Sequence, residues 1–254
     1  MKIAIVHDEL MRRGGAEQVV YCFHKAFPEA PIYAMAYDKD HTYTEFKNCV
    51  INTSWFQRFA TSEKRLKSLF FPLGIIAMKQ LDVSNYDVVL ISSTYCAKYV
   101  KISSKALVIN YCYTPFRLAW NPGSYGEYTN AKGIKKLMYN IITNVLKKID
   151  FKAAQRTDFF VAMTAETRAR IQAAYKHNKP IEIINPPVDC SKFYISDKPK
   201  EYFLLVSRLE YYKKVDLVVD AFNQLGYPLI IVGKGSMGPI LKSDARSNII
   251  FKSL

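Results

Sequence analysis

The sequence predicts an α/β fold built on parallel sheets in two units, and three observations carry that expectation. Short, nearly continuous apolar runs of strand length alternate with longer amphipathic segments of helical period, as in strands covered by helices on both faces. The alternation breaks once, at Asn185-Pro186-Pro187-Val188-Asp189, where two consecutive prolines can continue neither a helix nor a central strand. After a polar interval at 196–200 it restarts on a shorter scale.

In chain order, the apolar runs at 3–6 (IAIV), 31–35 (PIYAM), 88–92 (VVLIS), 107–111 (LVINY), 159–163 (FFVAM) and 181–184 (IEII) read as strands. Amphipathic segments at 16–27, 65–80, 132–155 and 165–175 read as the intervening helices, giving a doubly wound βαβ pattern. Beyond the prolines, strands are expected at 202–207, 229–232 and 249–251, a helix at 215–225, and a turn with a short helix at 233–241. The expected organisation is therefore a first domain at 1–187, a linker at 188–200 and a second unit at 201–254. Three strands in roughly 55 residues fall below the usual size of an independent α/β domain. The second unit is accordingly expected to be truncated.

Bulk composition narrows the partners. Half of the 254 residues are hydrophobic and 23% are charged, ample for a packed core. The formal charge of +14 favours an anionic partner: a phosphorylated substrate, an acidic membrane surface or nucleic acid. The nucleic-acid reading is set aside, because the basic residues are dispersed and no recognised module is present. Five scattered cysteines without C-x-x-C spacing argue against a disulfide framework or a zinc site and fit a reducing cytosol. The N-terminal apolar run is too short for a signal peptide, and no stretch reaches membrane-spanning length, so a cytoplasmic location is expected.

Four segments carry the residues that chemistry would use. Arg12-Arg13-Gly14-Gly15-Ala16-Glu17 follows the first strand and opens a helix, where adjacent glycines let backbone N–H groups approach an anion. It lacks the G-x-G-x-x-G order of a dinucleotide fold. Ser207-Arg208-Leu209-Glu210-Tyr211-Tyr212-Lys213-Lys214 follows the first strand of the second unit, and open α/β sheets bind ligands at the carboxyl ends of their strands. Arg208 offers a planar fork for phosphate oxygens and Lys213 a flexible point charge. Val232-Gly233-Lys234-Gly235-Ser236 allows similar backbone approach through Gly233 and Gly235, without the spacing of a Walker loop. Asn110-Tyr111-Cys112-Tyr113-Thr114-Pro115-Phe116-Arg117 is rich enough in aromatics to wall a sugar site, with Arg117 available for an anion.

Taken in order, GGAE, YCYTPFRLAW, INPPVD, LLVSRLEYYKKVDLVVDAF and IIVGKGS resemble the retaining, GT-B-fold glycosyltransferases of family 4 along essentially the whole chain. The resemblance is nearest to bacterial sugar transferases of lipopolysaccharide, capsule and exopolysaccharide synthesis. It implies two Rossmann-like domains facing a cleft, with the acceptor on the first and a nucleotide sugar on the second. It implies that Arg208 and Lys213 hold the donor diphosphate and stabilise its departure without a metal, that Gly14 and Gly15 approach the donor phosphate, and that Gly233 and Gly235 form the turn beside the nucleotide. GDP-mannose is the donor expected by analogy, with a glycan or lipid-linked glycan as acceptor. His7, Glu17, Tyr111 and Arg117 are the candidates for the acceptor side. Retention in this family is ascribed to front-face attack, in which the donor phosphate accepts the acceptor's proton, so no nucleophilic carboxylate pair is required.

Two departures from the family pattern bear on activity. Tyr113 stands where many relatives have histidine, and a tyrosine is not a comparable acid–base group at neutral pH. The family's pair of sugar- and ribose-holding glutamates does not occur before residue 254. The 254-residue chain alone is therefore expected to be weakly active or inactive as a transferase, and a binding or scaffold role for a transferase fold is the alternative. Trp55-Phe56-Gln57-Arg58-Phe59 and the stretch at 65–71 mix aromatic and basic residues, which fits peripheral contact with an anionic inner-membrane surface.

Overall fold

A computed structural model of the chain describes residues 1–59, 73–195, 197 and 201–252. The chain divides into two compact units, Met1–Val188 and Asp189–Leu254.

The first unit is built on seven parallel strands: β1 (Ile3–His7), β2 (Ile32–Ala34), β3 (Ile51–Thr53), β4 (Val88–Ser93), β5 (Leu107–Cys112), β6 (Phe159–Ala162) and β7 (Glu182–Ile183). Their order is β3-β2-β1-β4-β5-β6-β7, so the chain runs outward from β1 in one direction and then from β4 in the other. The loops leaving β1 and β4 consequently diverge to opposite sides, opening the crevice where doubly wound sheets place ligands. Six of the seven strands coincide with the apolar runs of the sequence. Strand β3 does not announce itself, because Ile51-Asn52-Thr53 is short and half polar, and its place is set by pairing Ile32 with Ile51.

Alternation along the central strands explains why both faces are covered. Ala4 and Val6 of β1 and Val89 and Ile91 of β4 enter one core with Met78, Leu146 and Ala153. Ile5 and Leu90 enter the other with Val20, Ile32 and Phe46. Helix α1 (Gly15–Ala26) covers the second face, while the segment at 73–80 and α2 (Gly133–Ala154) cover the first. The sequence-predicted helix at 65–80 is thus seen from 73 onward, and its earlier residues lie outside those described. Helix α3 (Ala165–Tyr175) begins at Thr164, whose hydroxyl accepts the Thr167 N–H at 3.1 Å. It packs Ile171 and Tyr175 against Phe160.

One buried ion pair joins these layers. Lys98, in the loop after β4, lies 2.9 Å from Asp150 of α2, at 3% and 0% exposure. The same carboxylate accepts from the Tyr99 hydroxyl at 2.9 Å, the Trp120 indole at 2.8 Å and the Tyr175 hydroxyl at 2.8 Å. Four donors from three separate elements thereby satisfy one carboxylate, which offsets the cost of burying it.

The second unit holds β8 (Phe203–Val206), α4 (Val215–Leu225), β9 (Leu229–Val232), α5 (Gly238–Asp244) and β10 (Ile249–Lys252). Its parallel sheet has the order β10-β9-β8 and packs Leu229, Ile231 and Ile249 against Val215, Val219 and Leu241. Strand β8 is at the edge, and Leu204 and Val206 are 58% and 62% exposed. Among the described residues no helix is long and apolar enough to cross a membrane.

Removing the shared acceptor tests the weight of the buried pair. Asp150→Ala leaves Lys98 charged and unpaired, and is expected to lower the unfolding free energy by about 3–5 kcal/mol in a urea titration. A loss below about 1 kcal/mol would show that the junction carries little of the stability.

Candidate functional site

In the first unit the crevice is organised by His7, which ends β1, and by Asp8 and Glu9, which follow it. His7 pairs in register with Ser92 of β4, which places both loops side by side at the carboxyl end of the sheet. The next residue, Asp8, turns its carboxylate into the loop after β4. One oxygen accepts from the Thr94 N–H and hydroxyl, both at 2.7 Å, and from the Tyr95 N–H at 3.0 Å. The other accepts from the Cys96 and Ala97 N–H groups, both at 2.7 Å. Burial alone would push this carboxyl up, but His7 and the donated hydrogen bonds outweigh it and hold it below the ordinary range.

His7, 2% exposed, has Nδ1 at 2.9 Å from the Ser92 carbonyl and 3.0 Å from its hydroxyl. A carbonyl only accepts, so Nδ1 carries the proton. The Tyr113 hydroxyl donates to the Ala16 carbonyl at 3.1 Å and lies 3.0 Å from the Ser92 hydroxyl. With its single proton committed to Ala16, Tyr113 receives from Ser92. A directed chain therefore runs from His7 through Ser92 and Tyr113 to the first turn of α1. Burial raises the Tyr113 phenol far above its usual range, so it stays neutral and fixes the start of α1 to β5.

The start of α1 differs between its two glycines. Gly14 caps the helix in extended conformation and, having no side chain, makes no side-chain cap bond to the first N–H groups. A Cβ on Gly14 would collide with the Glu17 carboxylate, whereas a Cβ on Gly15 would meet nothing. Packing thus accounts for Gly14, while Gly15 leaves open backbone at an exposed helix N-terminus. Glu17 is 1% exposed, 3.4 Å from Arg12 Nε, and its Oε1 has no hydrogen-bond partner among the described residues. Arg12 also donates to Glu9 at 3.0 Å. Burial pushes the Glu9 carboxyl up to about 8, against the Arg12 guanidinium and with Asp8 and Glu17 adding to the rise.

The aromatic segment that ends β5 and enters the next loop divides its residues between core and surface. Tyr111 is buried, and its hydroxyl donates to the Ile184 carbonyl at 2.7 Å. Arg117 is exposed and lines a cavity of about 330 Å³ with Thr114, Trp120 and Arg170. Arg170 lies on α3 and carried no sequence signal, since only the fold brings it beside Arg117.

The second unit presents a separate constellation at the carboxyl ends of β8 and β9. Arg208 and Lys213 are both exposed, and their cationic groups lie 6.0 and 5.6 Å from the Tyr212 ring. Neither has an acidic partner within 4 Å among the described residues. Lys214 follows in left-handed conformation at φ 54°, so the chain turns sharply into α4 directly after Lys213. The loop beneath is set by glycine. A Cβ on Gly233 would collide with the Ser207 carbonyl, and one on Gly235 with the Leu209 carbonyl. The close approach permits Leu209 N–H to bond Lys234 O at 2.9 Å, Met237 N–H to bond Leu209 O at 2.9 Å, and Ser236 to donate to Glu210 at 2.7 Å. Among the described residues no three His, Cys, Asp or Glu side chains converge as a metal site would need.

The raised carboxyl and the two glycines generate measurable expectations. Glu9 unfolded titrates near the ordinary carboxylate value and folded at about 8, so its contribution to stability is complete in acid and fades as pH rises through 8. Unfolding free energy is expected to fall on the order of 1–2 kcal/mol between about pH 6 and 8. Glu9→Gln should flatten that slope, and an unchanged slope would remove Glu9 as its source. Gly14→Ala should lower the thermal midpoint by several degrees, roughly the effect of about 1 kcal/mol, while Gly15→Ala should leave it unmoved. Equal shifts for the two would contradict the difference in packing.

Comparison with known proteins agrees with this architecture. No family model matches the chain. The alpha-1,3/1,6-mannosyltransferase ALG2 of Kluyveromyces lactis is 23% identical over 248 residues, an alignment covering 88% of this chain and 47% of that protein. The chain thus spans about half the length of the curated relative it matches. Among solved structures, Anabaena Alr3699/HepE in complex with UDP superposes with a TM-score of 0.66 at 13% identity, covering 100% of this chain and 69% of that one. The chain has a GT-B-like α/β fold.

Proposed function

We propose that the chain carries the diphosphate-binding part of a glycosyltransferase that uses a nucleotide-activated sugar. The observation that carries this reading is the exposed Arg208–Lys213 pair, with no acidic partner among the described residues, at the carboxyl end of β8. A planar fork and a mobile ammonium on one rigid loop suit the two phosphates of a nucleoside diphosphate better than a single anion. The interlocked glycines of the neighbouring loop hold the backbone of Ser207–Leu209 in place before any ligand arrives. Preorganised charge of this kind stabilises a leaving group without reorganisation as the bond breaks.

The names of the two similar proteins support the same chemistry, one being a mannosyltransferase and the other solved with UDP. In the proposed reaction an acceptor hydroxyl oxygen forms the new bond to the anomeric carbon. The bond from that carbon to the donor diphosphate breaks, its electron pair passes to the diphosphate, and the acceptor's proton follows to a diphosphate oxygen. Arg208 and Lys213 balance the charge that develops there. The hexose is mannose, carried on GDP and transferred with retention in the manner of family 4, and the acceptor is a glycan or lipid-linked glycan of cell-surface polysaccharide. The first domain (1–187) takes the acceptor, and Tyr113 acts there by positioning α1. The second unit (201–254) takes the donor.

Binding of free nucleotide separates this reading from a scaffold role. Calorimetric titration with GDP and with UDP should show one to bind. Arg208→Ala and Lys213→Ala are each expected to weaken binding roughly tenfold or more, the value of one charge-assisted contact. Failure of both nucleotides to bind, or full affinity in both variants, overturns it.

A further inference from the structure

Helix α2 has two apolar faces, and the fold uses one of them. Thr143, Leu146, Asp150, Ala153 and Ala154 are buried and share the inward side. Ile134, Leu137, Met138, Ile141, Val145 and Ile149 recur at helical spacing on the opposite side and are 37–79% exposed. Six large apolar side chains in one stripe exceed the scattered apolar residues normal on a surface. The stripe runs over sixteen residues, from Ile134 to Ile149, about 22 Å at 1.5 Å rise per step.

The charges around the stripe indicate what covers it. Lys135, Lys148 and Lys152 are exposed on α2, while the helix's one acid, Asp150, is buried in its pair with Lys98. Continuous with the carboxyl end of the stripe is a groove of about 490 Å³ that Ile149, Tyr99 and Val100 line together with Lys79, Lys101, Lys152 and Arg156. Asp82 pairs with Lys101 at 2.6 Å, and Arg156 donates to the Val100 carbonyl at 2.6 Å. Lys79 and Lys152 remain exposed at its rim. A second copy of the helix would bring lysine against lysine along the seam. A neutral apolar partner would leave those lysines uncompensated.

We propose that the outer face of α2 is a membrane-docking surface, lying in the plane of an anionic phospholipid bilayer with its apolar stripe among the acyl chains and its lysines at the phosphates. The groove at Lys79 and Lys152 takes one acidic headgroup. The helix satisfies its own backbone hydrogen bonds and is amphipathic rather than uniformly apolar, so it rests in the interface and does not span. This places the membrane contact on α2. Of the aromatic stretches, Phe56 is buried in the core while Trp55 and Phe59 are 37% and 52% exposed, a smaller apolar face than the α2 stripe, and 65–71 lies outside the described residues. The inference is independent of any sugar chemistry.

Flotation of the 254-residue chain with vesicles tests it, using phosphatidylcholine alone and with about one third phosphatidylglycerol. The chain is expected to float with the anionic vesicles and to be released by high salt. The double variant Leu137→Glu/Ile141→Glu should lose at least roughly tenfold in binding, with unchanged circular dichroism and thermal midpoint because both positions are exposed. Lys148→Glu/Lys152→Glu should lose a similar amount, and Lys148→Arg/Lys152→Arg should retain it. Three outcomes overturn the proposal. These are equal flotation with neutral vesicles, unaltered flotation of Leu137→Glu/Ile141→Glu, and self-association in sedimentation that this variant abolishes while vesicles bind neither form.

Discussion

The Asp8 carboxylate is the constraint on which the first unit's site depends. In a doubly wound sheet the loops after β1 and β4 leave in opposite directions, and beyond the last ladder pair, His7 with Ser92, the strands no longer hold them together. Asp8 does so by accepting four backbone N–H groups and one hydroxyl from residues 94–97. Those N–H groups would otherwise be buried without partners, and the carboxylate would be a buried unpaired charge. Each group satisfies the other. The position of His7, fixed on one side by Asp8 and on the other by Ser92, follows from that exchange, and Tyr113 extends it to α1.

A second buried carboxylate plays the corresponding part away from the crevice. Asp150 gathers Lys98, Tyr99, Trp120 and Tyr175, and so holds α2 to the loop after β4 and to α3. The two acids share a logic, since in each case one side chain collects donors from elements distant in sequence. Lys98 is linked to both regions, because its ammonium also donates to the carbonyl of Tyr95, a residue whose N–H reaches Asp8. The crevice and the outer helix are therefore parts of one polar framework inside an apolar core.

Legibility in the sequence followed the range of the interaction. Strands β1, β4, β5 and β6 are visible because burial on both faces demands continuous apolar runs, and the prolines at 186 and 187 mark the break for a purely local reason. Strand β3 is invisible because pairing, not composition, makes it. In the candidate site, Arg208 and Lys213 stand out in the sequence as cations that follow a strand. The structural use of Tyr111, whose hydroxyl ends on Ile184, is not, since that carbonyl lies seventy-three residues away. Asp8 reads as an ordinary loop acid until the loop after β4 is placed beside it. The outward stripe of α2 reads as one more amphipathic pattern, because periodicity does not report which of two apolar faces the core takes.

The interlock between the loops after β8 and β9 divides freedom unevenly between them. Gly233 and Gly235 are excluded from carrying a side chain because they meet carbonyl oxygens, atoms that every residue possesses. The partner positions face no reciprocal demand at that contact, and Ser207 satisfies it with its main chain alone. Ser207 and Arg208 can thus exchange side chains without disturbing the frame that presents them. A scaffold of this kind can vary the chemistry of one loop while the other stays glycine.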